Sequence, residues 1–467
     1  MGKRLFATIL AVFTAIAASF TVNGVEINAP DDVKDVIGSA VSYKCADMGC
    51  ESISELLDAL SKNAGNFSSD WYFIALSQLG EKCENDKCVN ALKSTVNNFY
   101  DEGLEKQKVT DLQRVAFALS AFGVDITDID GHNLLADASY NRKAVNKLDS
   151  QGANSASYGL LLLDSKNYQL PKNALNTRGE IIDMILDKEL ENGGFALFGE
   201  YADIDVTTIA LQALAQYKNN DRVEPVVERC VNILSKRQSK SGAYKSFANQ
   251  ISCESTAQVI LALTSLGIDP SSDERFIKDG NSVLDGLLRF RLESGAFSHF
   301  ENGKADNMAT YQSLCALVSV YRFMKGEKSF YDFSEKPEPE TVKVNTEPAS
   351  EFLETEARKT DNNSVSENKI IETTTQKPTE ASVYNTEKTE ETQKTTFNNS
   401  KKIKQKKNEP TTVAPTTVAT VSTQKISESE SITPFKYNSK KENKPNVQYI
   451  SVIVLTIGYI AVVIRKR

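Results

Sequence analysis

Gly193-Gly-Phe195, followed by Asp203-Ile-Asp-Val-Thr-Thr-Ile-Ala-Leu-Gln-Ala-Leu214, decides how this chain is read. A glycine turn carrying an aromatic residue leads into an apolar, alanine-rich helix. The arrangement returns twice: Gly242-Ala-Tyr244 precedes Glu254-Ser-Thr-Ala-Gln-Val-Ile-Leu-Ala-Leu263, and Gly295-Ala-Phe297 precedes Asp306-Asn-Met-Ala-Thr-Tyr-Gln-Ser-Leu-Cys-Ala-Leu317. An amphipathic helical pattern comes before each turn. A repeat of about 50 residues built from paired helices leaves neighbours to bury one another's apolar faces, so the chain folds as an array.

Extending the pattern towards the N-terminus gives six pairs. Outer helices are predicted to start near Glu51, Lys87, Asn133, Thr177, Val223 and Asn281. Inner helices are predicted at Trp71–Leu79, Leu112–Phe122, Ser155–Leu163, Val206–Tyr217, Ser255–Leu266 and Ala309–Tyr321. The inner stretches are apolar nearly all round, as buried helices must be. An open array would need polar faces on its terminal units, so a closed, strand-free double ring is expected over residues 25–334.

The flanks predict an exported, tethered protein. Lys3 and Arg4 lead an apolar run from Leu5 to Ala18, which predicts a signal peptide over residues 1–24. Residues 447–464 are predominantly apolar and are followed by Arg465-Lys-Arg467. That predicts one transmembrane helix over 447–464 and a cytoplasmic tail at 465–467. Residues 335–445, rich in Thr, Glu, Lys, Ser, Asn and Pro, lack the apolar surface to offset chain entropy, which predicts a disordered stalk. The head is thus expected outside the cell on a single-pass anchor.

A net charge of −8, with no basic cluster on a folded segment, excludes a nucleic-acid partner. Seven cysteines cannot all pair. Cys45/Cys50 and Cys83/Cys88 are candidate local disulfides, while Cys230, Cys253 and Cys315 fall on apolar helix faces. With no Cys-x-x-Cys and two histidines, no metal site is expected.

Glycine, one residue, then an aromatic, with Gln four positions before the glycine, resembles the repeat of squalene cyclases and related prenyltransferase-fold proteins. Gln238…Gly242-Ala-Tyr244 keeps the whole pattern, with Tyr for the usual Trp; the other two copies carry Glu189 and Arg291 at the Gln position. The resemblance covers Glu51 to about Lys325 and implies an all-α fold, an α6/α6 toroid. It leaves function open, because this scaffold hosts cyclases, prenyl transfer, thioester domains and cobalamin carriers. Cyclases of this type protonate an alkene with the middle acid of Asp-x-Asp-Asp. Asp203-Ile-Asp205-Val206 keeps that acid at Asp205 and loses the last Asp, and Trp71 is the only tryptophan to line a cation-stabilising cavity. His299, Asp306 and Cys315 lack the spacing of the prenyl-transfer zinc ligands, and no cysteine has Gln three residues on, as a thioester requires. Cobalamin carriers usually add a β-rich domain, whereas here the chain passes straight into the stalk.

What remains is a binding role at one mouth of the ring. The inner helices run parallel, so their positive N-terminal dipole ends share a rim. Acidic residues recur there: Asp70, Asp111, Asp205, Glu254 and Asp306. Helix capping accounts for each taken singly. The loops Phe198-Gly-Glu-Tyr201-Ala-Asp203 and His299-Phe300-Glu-Asn-Gly303 overhang the same rim. Tyr201, Asp203, Asp205, Glu254, His299 and Asp306 are therefore the expected contacts for a small molecule, a glycan or an extracellular protein. No catalytic residue and no cofactor is assigned. The alternatives are a cyclase- or lyase-type enzyme using Asp205 as general acid, and a cobalamin-carrier-like or adhesive spacer module.

Overall fold

The three glycine turns share one hydrogen bond. The N–H groups of Phe195, Tyr244 and Phe297 each donate to the hydroxyl of a threonine in the following inner helix, Thr207, Thr256 and Thr310, at 3.0 Å in all three cases. The aromatic side chains are fully buried wedges. Thr256→Val preserves the side-chain shape but leaves the buried Tyr244 N–H unpaired. It should cost about 1–3 kcal/mol in a urea titration, with Thr256→Ser losing much less.

A computed structural model of the chain describes residues 27, 29–142, 147–196, 199–340 and 342–344, with the backbone of 449–454 and 459–464. Its head contains α1 (Pro30–Met48), then six outer–inner successions. These are α2 (Ile53–Ser61) and α3 (Phe67–Ser77), α4 (Lys87–Glu102) and α5 (Val109–Ala121), and α6 (Leu134–Ala138) and α7 (Gly152–Asp164). They continue with α8 (Arg178–Leu186) and α9 (Ile204–Leu214), α10 (Glu224–Arg237) and α11 (Cys253–Leu266), and α12 (Val283–Leu288) and α13 (Asn307–Met324). Each inner helix packs on the next, α3 on α5, α7, α9, α11 and α13 in turn, and α13 packs back on α3. The ring is closed.

Two features of the head depart from the sequence-based expectation. α1 is a thirteenth helix, buried through Val33, Val36, Ile37, Ala40 and Val41. It packs on α13 and beside α2. Gly242 adopts φ +85°, and a Cβ there would meet Ser282 O, at the start of α12, at 2.0 Å. Its repeat counterpart Gly295 (φ +89°) stands 2.4 Å by the same measure from Ser39 O of α1. So α1 takes the place of the next outer helix and completes the outer layer. The head also contains a pair of two-residue antiparallel strands, β1 (Tyr244–Lys245) and β2 (Ile251–Ser252), formed because the loop entering α11 doubles back on itself. This pair does not interrupt the ring.

Beyond α13 the chain turns back into the ring at the end where the inner helices finish. Phe330, Tyr331 and Phe333 are buried. The Tyr331 ring lies 5.1 Å from Phe117, 6.4 Å from Trp71 and 6.5 Å from Tyr158, centroid to centroid. Gln78 donates its amide to the carbonyls of Phe330 and Asp332, and Phe333 N–H donates to Ser165 O at 2.7 Å. The tail continues past the predicted boundary at residue 334. Glu340 binds Lys34 and Lys325, and Val342 is buried beside Gly38 of α1.

Cys83 and Cys88 form a disulfide, whereas Cys45 and Cys50 are free. Burial pushes the Cys45 and Cys230 thiols up to about 12, so they stay protonated and unreactive. The segment predicted as a transmembrane helix over 447–464 pairs instead as antiparallel strands, β3 (Tyr449–Val454) with β4 (Tyr459–Ile464). Its valines and isoleucines, branched at Cβ, favour extended backbone. No helix among the described residues is long and apolar enough to cross a membrane. The signal peptide (1–24), the stalk beyond residue 344 and the tail at 465–467 lie outside the described residues.

Candidate functional site

The acids at the inner-helix starts divide by role. Asp203 caps α9, accepting from Val206 N–H at 3.0 Å, and Asp306 caps α13, accepting from Ala309 N–H at 2.9 Å. Ser252, not Glu254, caps α11. Asp205 and Glu254 lie one step inside their helices, each two residues before the clamping threonine, and neither caps. Asp70 is buried against Arg114, which donates from Nε at 2.8 Å and binds Asp111 as well. That pair ties α3 to α5 and leaves both acids with structural work.

Asp205 is 0% exposed. Ser255 of the neighbouring inner helix donates to its Oδ2 at 3.1 Å, and its Oδ1 has no hydrogen-bond partner. Burial, reinforced by the negative charges of Asp203 and Glu254, drives its pKa well above the usual carboxylate range. Burial therefore favours its neutral, protonated form. Burial also raises Asp203, against the pull of its cap bond.

Glu254 is buried and receives the Ser252 hydroxyl at 2.9 Å. His299, on the loop entering α13, places Nδ1 2.7 Å from both Glu254 carboxylate oxygens. This bond raises the His299 pKa in spite of partial burial. His299 O in turn accepts from Cys253 N–H at 3.2 Å, which locks this loop onto the start of α11. Asp205, Ser255, Glu254 and His299 thus join three successive inner-helix entrances into one continuous rim.

Of the predicted contacts, the structure brings together Asp203, Asp205, Glu254 and His299. Asp306 is half-buried and occupied as a cap. Tyr201, two residues before Asp203, is 86% exposed. Sequence reasoning missed a ladder of buried amides across three inner helices: Gln212 donates to Gln258 at 3.4 Å, and Gln258 to Gln312 at 3.1 Å. A polar residue inside each of three apolar repeats was the available signal. Among the described residues no cluster of three or more His, Cys, Asp or Glu could hold a metal ion.

No family model and no curated protein matches this chain. Solved structures similar to it include the unsaturated glucuronyl hydrolase of Bacillus sp. GL1, responsible for glycosaminoglycan degradation, at 11% identity, TM-score 0.44, over 64% of this chain and 99% of that one. Candida albicans protein geranylgeranyltransferase-I is similar at 14% identity, TM-score 0.42, over 68% and 98% of the two chains. A type II terpene cyclase from Scytonema is similar at 11% identity, TM-score 0.39, over 63% and 100%. At such identities and TM-scores the likeness carries no conclusion about this chain, whose fold rests on its own helix packing and whose chemistry rests on its own residues.

Proposed function

We propose that this chain is an exported, membrane-tethered binding protein whose toroid takes its ligand on the rim at the inner-helix N-termini and performs no chemistry on it. One observation carries the reading: the acid that would do chemistry, Asp205, is sealed from solvent, while the Glu254–His299 pair beside it is partly open. The aromatic tail filling the opposite mouth leaves the rim as the approachable side. Export rests on the apolar run from Leu5 to Ala18, and tethering on the apolar composition of residues 447–464.

The test is a thermal-shift panel on the purified full chain with cobamides, isoprenoid diphosphates and soluble glycans. A compound bound only by the folded form raises Tm, and the shift should vanish in the Glu254→Gln/His299→Gln variant while the compound is recovered unchanged. A shift that survives in that variant, or a product formed by the wild type, overturns the reading. The upward shift that burial imposes on the Asp205 carboxyl favours a second reading, an enzyme using it as general acid. That reading requires a path for substrate into the ring, and Asp205→Asn would then abolish turnover.

A further inference from the structure

We propose that His299 is a pH-operated latch, fastening the hairpin that enters α13 across the rim onto the start of α11, so that this sector of the rim is held at low pH and loosens as pH rises.

Residues 298–305 double back on themselves. Ser298 pairs with Ala305 in a single antiparallel bridge, and Gly303 N–H closes the tip on Phe300 O at 2.9 Å. The bonds that hold this hairpin fall into two groups. Ser298 N–H donates to Phe290 O at 2.9 Å and Arg289 binds Glu301 at 2.6 Å, both within the hairpin's own repeat. Among the described residues, every hydrogen bond from the hairpin to the neighbouring repeat is made by His299. Its Nδ1 meets Glu254 at 2.7 Å, and its carbonyl accepts from Cys253 N–H at 3.2 Å. Both bonds land on the first turn of α11. One titratable ring therefore sits at the point where the two repeats are fastened together.

The two partners differ in access to water. The Glu254 side chain is 4% exposed, whereas that of His299 is 38% exposed and can exchange its proton with solvent. A buried carboxylate is tolerated beside a cation and is costly without one. Protonated, His299 supplies that cation. Neutral, it offers at most one uncharged N–H, and a hydrogen bond with a single ionised partner is weaker than one between opposite charges. The remaining groups around the ring do not replace it. Asp306 at the start of α13 is acidic, as are Asp205 and Asp203 behind Glu254 at the start of α9. Burial keeps the Cys253 thiol of α11 protonated, Arg289 is engaged by Glu301, and Lys304 is exposed on the far arm of the hairpin.

The direction of the pH effect follows. The bond to Glu254, helped by the charges of Glu254 and Asp306, lifts the His299 pKa above its ordinary 6.5. The latch is fully fastened below the ordinary value and is lost as pH rises through the raised one. Each unit of elevation corresponds to about a tenfold change in the equilibrium between fastened and open hairpin. For a ligand on the rim, access then follows pH, a consequence that rests on the rim reading; the latch itself does not.

The sequence holds two histidines, His132 and His299, so His132→Gln leaves one imidazole to observe. The experiment titrates the His299 Cε1 proton by NMR in the purified full chain carrying His132→Gln. It also follows hydrogen exchange of residues 298–305 and of the Cys253 amide at about pH 6 and about pH 9, corrected for the intrinsic pH dependence of exchange. The expected midpoint lies above 6.5, with hairpin opening that rises about tenfold for each unit of that elevation. Glu254→Gln should lower the midpoint and remove the pH step from the hairpin. Glu301→Gln, which breaks the bond to Arg289, should raise exchange by the same factor at both pH values. A midpoint at or below 6.5, hairpin exchange indifferent to pH, or a pH step that persists in Glu254→Gln overturns the proposal. No ligand is used, so such a failure leaves the rim reading standing. A thermal-shift panel without a hit, beside an elevated midpoint and a hairpin pH step, removes the rim reading and keeps the latch.

Discussion

Asp205→Asn is expected to stabilise the head at neutral pH, raising Tm by a few degrees, and to flatten the dependence of stability on pH. The sign follows from where the proton resides. Unfolded, Asp205 titrates near the ordinary carboxylate value of about 3.9; folded, burial and the charges of Asp203 and Glu254 hold its pKa well above that. Between the two values the native state binds more protons than the unfolded chain, so stability falls as pH rises through this window. The loss is complete above the folded pKa. Asparagine keeps an acceptor for Ser255 and has no proton to lose. Asp203, raised in the same direction, leaves a smaller residual slope. Thermal melts of both proteins from pH 4 to 8 decide the matter. Equal slopes would mean that Asp205 titrates alike in the folded and unfolded chain and would overturn the expectation.

Tyr331→Ala should cost about 3–5 kcal/mol, the range for emptying an aromatic site in a core. Besides its chain neighbour Phe330, the ring touches Trp71, Phe117 and Tyr158, which lie on three inner helices, α3, α5 and α7. Its removal leaves a void on the axis of the ring that no single helix can move in to fill. Tyr331→Phe keeps the packing and should cost far less. Urea titration measures both. A loss under about 1 kcal/mol for the alanine variant would show that the tail rests on the ring without supporting it.

The hairpins were legible because each carries its own local signature. Outer helices predicted near Lys87, Asn133, Thr177, Val223 and Asn281 begin at Lys87, Leu134, Arg178, Glu224 and Val283. α1 was missed although its sequence declares it: Pro30 opens it, Gly49 closes it in the left-handed region, and apolar residues recur at helical spacing. It lacks the glycine–aromatic turn, and a search keyed to that turn passes over it. The tail was missed for another reason. Ser329-Phe-Tyr-Asp-Phe333 is a visible aromatic run, but its partners Trp71 and Phe117 are more than 200 residues upstream, and no local pattern reports such a contact. At the site, sequence placed Asp203, Asp205, Glu254 and His299 on a common rim. It could not tell cap from proton-bearing acid, because that depends on whether Ser255 and Glu254 of the next helix lie within reach of Asp205.

The clasp at Glu340 bears on how the head would respond to mechanical load. Burial alone would raise this carboxyl, yet bonds from Lys325, Lys34 and Tyr321 bring it to about 2, so it stays charged under almost any condition. A pull applied at residue 344 would reach the Val342 seat and this clasp first, then draw on Phe333 and Tyr331. The ring helices would feel tension only after the aromatic tail had peeled from the axis. The tail would serve as a sacrificial link that absorbs extension before the closed ring is strained.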